Sequence, residues 1–285
     1  MADIRAIRSR IKGVQSIAKI TRAMEMIATS KMRRTQERGL AGRPYSEKIG
    51  QVIADLASLS QEGEAVHPLL QRRPITKIAI VHITPDRGLC GGLIGNMNRN
   101  TSSFILEQNL PANLICVGRK GIDYMKRSGR NVQAEFSWLG DRPSYLDTLP
   151  ISRIIIDDYT SGVIDAVYIA YSRFISVLVQ RPVVEPILPA EPVDTKGAIL
   201  DFIYEPDAKS VLSGLLPRFV EMQVYHAILE AIASEQSGRM VAMRNATENA
   251  GELIDDLTLM YNKARQESIT KELLDIIGGV EALNK

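Results

Sequence analysis

The fold of this chain is decided by residues 215–268, which read LLPRFVEMQVYHAILEAIASEQSGRMVAMRNATENAGELIDDLTLMYNKARQES. Alternate steps of four and three residues reach sixteen positions, twelve of them apolar or alanine: Leu215, Phe219, Met222, His226, Leu229, Ala233, Gln236, Met240, Met243, Thr247, Ala250, Ile254, Leu257, Tyr261, Ala264 and Ser268. An apolar seam that repeats every ~3.5 residues is typical of a left-handed coiled coil. Because no proline follows Pro217, the pattern predicts one long C-terminal helix over residues 207–285.

The N-terminal segment offers a partner for that helix. Glycine and proline at Gly39, Gly42 and Pro44 predict a kink or break, after which residues 49–59 resume the helical rhythm. Before this break, apolar residues recur at steps of three and four, without a preceding signal or transit sequence: Ile4, Ile7, Ile11, Val14, Ile17, Ile20, Met24 and Ile27. We expect the helices of residues 1–60 and 207–285 to form an antiparallel coiled coil. The alternative is two ordinary helices packed on a globular core.

Charge is divided between these two segments. Residues 1–48 contain twelve Lys and Arg against four Asp and Glu, whereas residues 208–285 contain eight against eleven, in a chain of net charge +2. A basic helix beside a mildly acidic one favours pairing and leaves positive charge for acidic partners. The basic segment lacks interleaved aromatic residues, and the chain lacks a recognisable nucleic-acid module, so we do not expect a nucleic-acid partner.

The region between the helices has a different pattern, which predicts a small Rossmann-like α/β domain over residues 74–192. Strands with mostly parallel pairing are predicted to alternate with helices. The predicted strands cover residues 77–83, 113–117, 132–136 and 164–171, the predicted helices lie near 94–106, 120–128 and 152–161, and residues 181–192 form a proline-rich extended edge. The fold class is therefore α/β, with the domain inserted between two long helices.

A catalytic interpretation of this domain centres on Cys90. The sequence Gly88-Leu-Cys-Gly-Gly92 lies between a predicted strand and a predicted helix, where a nucleophile elbow would lie. A cysteine nucleophile needs a nearby base, and His67, His82 and His226 are the chain's three histidines. Neither the strand residue His82, the seam residue His226 nor the loop residue His67 is well placed for this role. We favour a tight turn in which Cys90 is a small buried side chain.

Other ligand classes find little support in the sequence. The phosphate-binding patterns of P-loops and dinucleotide folds do not occur, although Gly118-Arg-Lys-Gly121 could contact an anion at a helix start. The two cysteines, Cys90 and Cys116, do not have a metal-ligand spacing and favour a reducing compartment. No apolar run reaches the ~20 residues of a membrane span. We therefore expect no cofactor, no metal and no membrane span.

Four long sequence stretches carry a resemblance to a known family. They are residues 23–32 (AMEMIATSKM), 86–92 (DRGLCGG), 234–236 with 239–243 (SEQ and RMVAM), and 261–270 (YNKARQESIT). In this order, and over essentially the whole chain, they resemble the gamma subunit of the rotary ATP synthase. The chloroplast version carries an inserted cysteine pair before the C-terminal helix, whereas residues 189–205 here are short and contain no cysteine. The resemblance is thus to the bacterial type.

The resemblance implies a function and a set of partners. The paired helices would be the central shaft, one copy inside three alpha and three beta subunits, coupling proton-driven rotation to ATP synthesis or hydrolysis on beta. The epsilon subunit and the membrane c-ring would be further partners. The chain would have no catalytic site of its own and would be a peripheral protein at the cytoplasmic face of the bacterial cell membrane.

The resemblance also implies roles for individual residues. Arg265, Gln266 and Thr270 match positions that meet catch loops of beta. Met24 and the Cys90 loop match positions that face the acidic lever segment of beta, and Tyr204 and Glu205 match the foot that contacts epsilon and the ring. Two alternatives remain open at this point: a coiled-coil scaffold without ATPase partners, and a Cys90-dependent α/β hydrolase.

Overall fold

The computed structural model describes residues 2–59, 67–190, 204–205 and 207–283. The helices are α1 (Ala2–Leu59), α2 (Leu93–Gln108), α3 (Arg119–Arg127), α4 (Tyr145–Thr160) and α5 (Ala208–Leu283), with a 3-10 turn at Pro68–Leu70. The strands are β1 (Ile78–Ile83), β2 (Ala112–Val117), β3 (Val132–Phe136), β4 (Ala166–Phe174) and β5 (Gln180–Leu188). Parts of the predicted segments, namely residues 1, 60, 191–192, 284–285 and Pro206 of the foot, lie outside the described residues.

The chain divides into two compact units. Unit 1 consists of Met1–Ala28 and Met240–Lys285, and unit 2 consists of Thr29–Arg239. The expected fold class, long terminal helices with an inserted and mostly parallel sheet, is confirmed.

Unit 2 is built on a five-stranded sheet in the order β3-β2-β1-β4-β5. The pairs β3–β2, β2–β1 and β1–β4 are parallel, and the edge strand β5 is antiparallel to β4. The edge position explains why β5 tolerates Pro182 and Pro186, since a proline cannot donate a backbone hydrogen bond to a neighbouring strand. The extended edge predicted from the prolines is confirmed.

Both faces of the sheet are buried, which explains the unbroken apolar sequence of β1. Alternate residues point to opposite faces: Ile78 and Ile80 pack with residues of α2 and α3 such as Met97 and Met125. On the other face, β1 packs with helices α1, α4 and α5, through residues such as Ala79, Val81, Ile53, Ile155, Leu216 and Val224. The helical pair is therefore an integral part of the core of unit 2.

The predicted break in the N-terminal helix does not occur, because α1 continues through Pro44. A proline inside a helix removes one hydrogen bond and crowds the preceding turn. Burial compensates, since Ile49 and Ile53 beyond the proline are 6% and 1% exposed in the core of unit 2. Gly42 serves close packing here, because a Cβ at this position would lie 2.7 Å from Cε1 of His226.

In unit 1 the heptad pattern of α5 is confirmed residue by residue. From residue 247 to residue 268, every residue outside the seam is exposed, and the buried or half-buried residues are Thr247, Ala250, Ile254, Leu257, Tyr261, Ala264 and Ser268. The partner residues include Ile11, Val14 and Ala18 of α1, which pack with Ala250, Ile254 and Leu257.

The predicted stripe of α1 is partly wrong. Ile17, Ile20 and Ile27 are 55%, 59% and 54% exposed, whereas Ala18 and Thr21, one position further along, occupy the seam. The hydroxyls of Thr21 and Thr247 lie 2.7 Å apart. Small residues let the two helices approach closely, so they form the seam, while the larger isoleucines lie beside it.

Candidate functional site

The Cys90 loop between β1 and α2 is held against α5. The Cys90 side chain is 2% exposed, whereas Leu89 is 62% exposed. On the α5 side, a Cβ on Gly238 would lie 3.0 Å from the Cys90 carbonyl oxygen. Glycine at position 238 therefore allows the close approach, and the large apolar side chain that this loop exposes is Leu89, beside the exposed Arg87.

A largely buried ion pair on α5 supports the same loop. The Arg239 guanidinium lies 2.7 Å from Oε1 of Glu235 and donates a hydrogen bond to the Gly88 carbonyl oxygen at 3.2 Å. The two side chains are only 12% and 17% exposed. Burial raises the pKa of Glu235, and the charge of Arg239 opposes this shift. The sequence stretch at 234–243 carried the family resemblance, but its role as an anchor was not predicted.

Two serines of α5 hold the end of β4 and the turn that follows it. Ser234 Oγ donates to the Ser172 carbonyl oxygen and Ser237 Oγ donates to the Val177 carbonyl oxygen, both at 2.7 Å. Residues 234–239 thus fix the Cys90 loop, the end of β4 and the following turn on one stretch of helix. The sequence carries no local signal for these contacts, because the partners are separated by 60 or more residues.

The geometry does not activate Cys90 as a nucleophile. Burial raises the pKa of the Cys90 thiol, and the nearby charge of Arg239 only partly opposes this shift. His82, the nearest histidine in sequence, is fully committed elsewhere: its Nε2 lies 2.9 Å from Asn98 Oδ1 and its Nδ1 lies 3.1 Å from Thr101 Oγ1. Burial also lowers the pKa of His82 to about 4. A raised thiol pKa disfavours the thiolate that a cysteine hydrolase requires.

The anion site suggested by residues 118–121 is occupied by the chain itself. A helix start binds phosphate through its free backbone N–H groups. At the start of α3, Arg119 N donates to Asp86 Oδ1 at 2.9 Å, Lys120 N to the Pro85 carbonyl oxygen at 3.2 Å, and Gly121 N to Thr84 Oγ1 at 2.8 Å. Because a carboxylate already caps the helix, the suggestion of an anion contact there is wrong.

Among the residues that the structure describes, no cluster of three or more His, Cys, Asp or Glu side chains is arranged to hold a metal ion. In that same part of the chain, no helix is both long and apolar enough to cross a membrane.

The predicted catch residues lie together on α5 in unit 1. Arg265, Gln266 and Thr270 are all exposed, and the last two are one helical turn apart on the same face. Met24, on α1 in the same unit, is half-buried. The neighbouring Glu25 forms an ion pair with Arg244 of α5 at 3.1 Å.

The predicted foot residues lie in unit 2, away from the Cys90 loop in sequence. Tyr204 donates a hydrogen bond from its hydroxyl to Asp55 Oδ2 at 2.6 Å, which ties this segment to α1. Burial, followed by the hydrogen bond to Asp55, raises the pKa of Tyr204 to about 12, so the hydroxyl stays a donor. Glu205 is exposed. The predicted site residues therefore fall into two groups: the catch residues and Met24 lie in unit 1, and the Cys90 loop and the foot residues lie in unit 2.

Comparison with known sequences gives full-length matches. The profile of the family described as ATP synthase matches residues 3–283. The ATP synthase gamma chain of Dehalococcoides mccartyi strain 195 is 65% identical over 284 residues, covering 99% of this chain and 100% of the relative. The ATP synthase gamma chain of Roseiflexus castenholzii is 48% identical over 288 residues, covering 99% of both chains.

Solved structures with a similar fold come from rotary complexes. A chain of the Euglena gracilis mitochondrial ATP synthase (OSCP/F1/c-ring, rotational state 3) has a TM-score of 0.68 at 21% identity, covering 99% of this chain and 95% of that chain. A chain of the Tetrahymena thermophila mitochondrial ATP synthase (central stalk/c-ring) has a TM-score of 0.61 at 22% identity, covering 80% and 99%. At identities this low, the similarity shows only that these chains share a fold.

Proposed function

This chain belongs to the ATP synthase gamma chain family, and on that premise we propose that it is the central rotor shaft of a proton-translocating ATP synthase. One copy would turn inside three alpha and three beta subunits and couple rotation of the membrane c-ring to ATP synthesis or hydrolysis on beta. The epsilon subunit would bind beside the ring. The functional division would be a shaft of residues 1–60 and 207–285 and a middle domain of residues 74–192.

The observation that carries this proposal is the apolar surface that unit 1 leaves exposed. A large exposed apolar surface marks a site that a partner covers. On α1 the exposed side chains include Ile17, Ile20, Met26 and Ile27, and on α5 they include Leu259, Met260, Ile269, Leu273, Leu274, Ile276, Ile277 and Val280. The paired helices use a narrow seam for each other and leave the flanking apolar residues for a partner that encloses them.

Roles for the predicted catch residues follow from their exposure. Arg265 and Gln266 offer charged and amide hydrogen-bond donors on the outside of the helix, and Thr270 offers a hydroxyl on the face of Gln266. These side chains would engage loops of one beta subunit at a time. Because the helix carries different residues on each side, each beta subunit would meet a different surface, which biases its open and closed states.

Met24 and the Cys90 loop would each face the acidic lever segment of beta. Since the Cys90 thiol is buried and Leu89 is exposed, the loop would make its contact through Leu89, with Cys90 as an internal anchor. At the foot, Glu205 would contact epsilon or the ring, while Tyr204 would hold the segment on α1 through Asp55. We infer that the chain itself catalyses no reaction and acts as a peripheral protein at the cytoplasmic face of the membrane.

Reconstitution tests this proposal. The chain is mixed with the alpha and beta subunits of its own organism, the complex is isolated, and steady-state ATP hydrolysis is compared with that of each component. We expect one copy per alpha–beta hexamer and stimulated hydrolysis. A chain that stays separate and leaves hydrolysis unchanged would instead support the coiled-coil scaffold.

Variants test the catch residues within the reconstituted complex. Arg265→Ala and Gln266→Ala should lower the stimulation of hydrolysis or the yield of complex. Lys263→Ala is the matched control, because Lys263 is an exposed cationic residue of the same helix that lies ~200° around the axis from Arg265. Equal activity of Arg265→Ala and Lys263→Ala would count against the catch assignment, and loss of a hydrolase activity in Cys90→Ala would revive the enzyme alternative.

A further inference from the structure

A cavity of about 910 Å³ lies between the sheet and the two long helices of unit 2. Its walls come from residues 35–40 of α1, from residues 223–233 of α5, from β4 with the residue that follows it, and from β5. All of these residues belong to Thr29–Arg239, so the cavity lies within unit 2 alone. Sites for small molecules have volumes of about 300–1,000 Å³, so the cavity is large enough to hold one.

A large part of the cavity wall is apolar. The buried apolar residues that line it include Ile169 of β4, Ile187 of β5, and Leu229 and Ala233 of α5. Gly39 of α1 also lines the cavity, and a Cβ at this position would have no heavy atom within 4 Å. The wall therefore leaves space at Gly39 that a side chain would otherwise fill. Walls of this kind are typical of sites that hold the apolar body of a ligand.

The charge at the cavity wall is negative. Among the described residues that line the cavity are the carboxylates of Glu185 and Glu230, and no lysine or arginine is one of them. Arg173 lies next to both carboxylates: its guanidinium forms a salt bridge with Glu185, and its Nε lies 4.0 Å from Glu230 Oε2. This cluster therefore holds two acidic side chains against one basic side chain. The excess of negative charge favours a cationic ligand.

Hydrogen bonds distinguish the two carboxylates. Glu185 accepts from the Tyr171 hydroxyl at 2.9 Å through Oε2, and its Oε1 is bound to Arg173. The side chain of Glu230 is 40% exposed and lies further from Arg173, so we assign Glu230 to the contact with the ligand. Tyr171 and Phe174 also line the cavity, and the faces of aromatic rings attract organic cations.

We propose that this cavity binds a small organic cation, in which an ammonium group is attached to an apolar body. The ammonium group lies at Glu230, and the apolar body packs against Ile169, Ile187 and Leu229. The ligand contacts α1, α5 and the sheet at once and binds only the folded chain, so it stabilises unit 2 against unfolding. This inference goes beyond the proposed function and does not rest on it, because the cavity lies within unit 2 alone.

Three fluorescent compounds that differ in charge test the proposal on the full chain. Dansylcadaverine ends in an ammonium group, N-(5-hydroxypentyl)dansylamide ends in a hydroxyl group, and N-dansyl-6-aminohexanoate ends in a carboxylate. Dansyl emission rises in an apolar environment, so a titration with each compound gives its Kd. We expect the cation to bind several-fold more tightly than the hydroxyl compound, and the anion to bind most weakly. Equal affinities, or a preference for the anion, would overturn the proposal.

A charge variant tests the assignment of Glu230. Glu230→Gln keeps the shape of the side chain and removes its charge, so it should weaken the binding of dansylcadaverine about tenfold. The affinity for the hydroxyl compound should stay unchanged. Glu107→Gln is the matched control, because Glu107 is an exposed residue of α2 that does not line this cavity. An unchanged Kd in Glu230→Gln, or an equal loss in Glu107→Gln, would contradict the assignment.

A second variant tests whether the compounds bind inside the cavity. Gly39→Leu should fill part of the space and weaken the binding of all three compounds. Gly13→Leu is the control, because Gly13 lies on the same helix and a Cβ there would also have no heavy atom within 4 Å. Urea unfolding checks that both variants remain folded. If Gly39→Leu binds the compounds as tightly as the wild-type chain does, they bind elsewhere and the proposal fails.

These outcomes are independent of the test of the proposed function. A chain that forms the complex with the alpha–beta hexamer but shows no preference for dansylcadaverine would overturn this inference alone. A chain that binds dansylcadaverine through Glu230 but does not join the hexamer would support this inference and overturn the proposed function.

Discussion

The two units are stabilised in different ways. In unit 2, two large clusters of buried side chains cover both faces of the sheet. In unit 1, the described cluster contains three buried residues, Val14, Ala250 and Leu257, with a few half-buried neighbours. Since apolar burial is the main stabilising term in folding, unit 2 carries a complete core of its own, whereas unit 1 depends on a narrow seam and leaves its remaining apolar side chains to a partner.

The largest effect on stability is expected at Gly118, where two backbone segments of unit 2 approach each other closely. Gly118 has a φ of 94°, and a Cβ there would lie 1.8 Å from the Thr84 carbonyl oxygen. Gly118→Ala should therefore lower the free energy of unfolding by at least ~3 kcal/mol. Gly95→Ala, in α2 with open space around its Cβ, should raise it by up to ~1 kcal/mol. Urea unfolding measures both, and equal effects would contradict the close approach.

The stability of unit 2 should also depend on pH. Burial lowers the pKa of His82 to about 4, so between pH 6.5 and 4 the unfolded chain binds a proton that the folded chain does not. Stability is then complete above pH 6.5 and falls as the pH decreases, by about 2 kcal/mol at pH 5. Urea unfolding at pH 7.5 and pH 5 tests this. His82→Gln should remove most of the difference, and an undiminished difference in that variant would assign it to other groups.

A seam variant should affect unit 1 and leave unit 2 unchanged. Leu257 is 6% exposed in the seam, and Leu253, on the same helix, is 45% exposed. Leu257→Ala should lower the local stability of residues 240–283 by about 1–2 kcal/mol, less than in a full core because a narrow seam can relax. Hydrogen exchange measures the local stability of the two units separately. Faster exchange in the sheet would show that the units are not separate in stability, and an equal effect of Leu253→Ala would show that unit 1 does not depend on the seam.

The smallest effect is expected at the ion pair between Glu25 and Arg244. Their nitrogen and oxygen atoms are 3.1 Å apart, but Arg244 is 60% exposed. An exposed pair of this kind contributes less than ~1 kcal/mol. Arg244→Ala should therefore change the exchange of unit 1 by less than Leu257→Ala does. A larger change would mean that the ion pair, rather than the apolar seam, holds the helices together.

The heptad of α5 could be predicted because a pattern repeated over many turns outweighs local exceptions. The seam of α1 could be predicted only in part, since Ile17 and Ile20 form a second apolar stripe beside Ala18 and Thr21. Hydrophobicity favours the isoleucines, but close approach of the helices favours the small residues. Which of these residues form the seam depends on the partner helix, and the sequence of α1 alone does not show it.

Tertiary contacts account for the other differences between the sequence-based predictions and the structure. Gly42 and Pro44 carry a local signal for a break, and packing of the following turns on the core overrides it. At the start of α3, the sequence favours an anion, but Asp86 reaches the same N–H group from 33 residues away. The anchors at residues 234–239 lie within a stretch that resembles the family, yet their partners are loops that only the folded chain brings together.

The most direct test of the account is hydrogen exchange of the chain by itself and within the complex with alpha and beta subunits. The account predicts slow exchange of the sheet of unit 2 in both samples. Residues 2–28 and 240–283 should exchange rapidly in the free chain and become strongly protected in the complex. Equal protection of these segments in both samples would contradict it, because the exposed apolar surface of unit 1 would then have no partner in the hexamer.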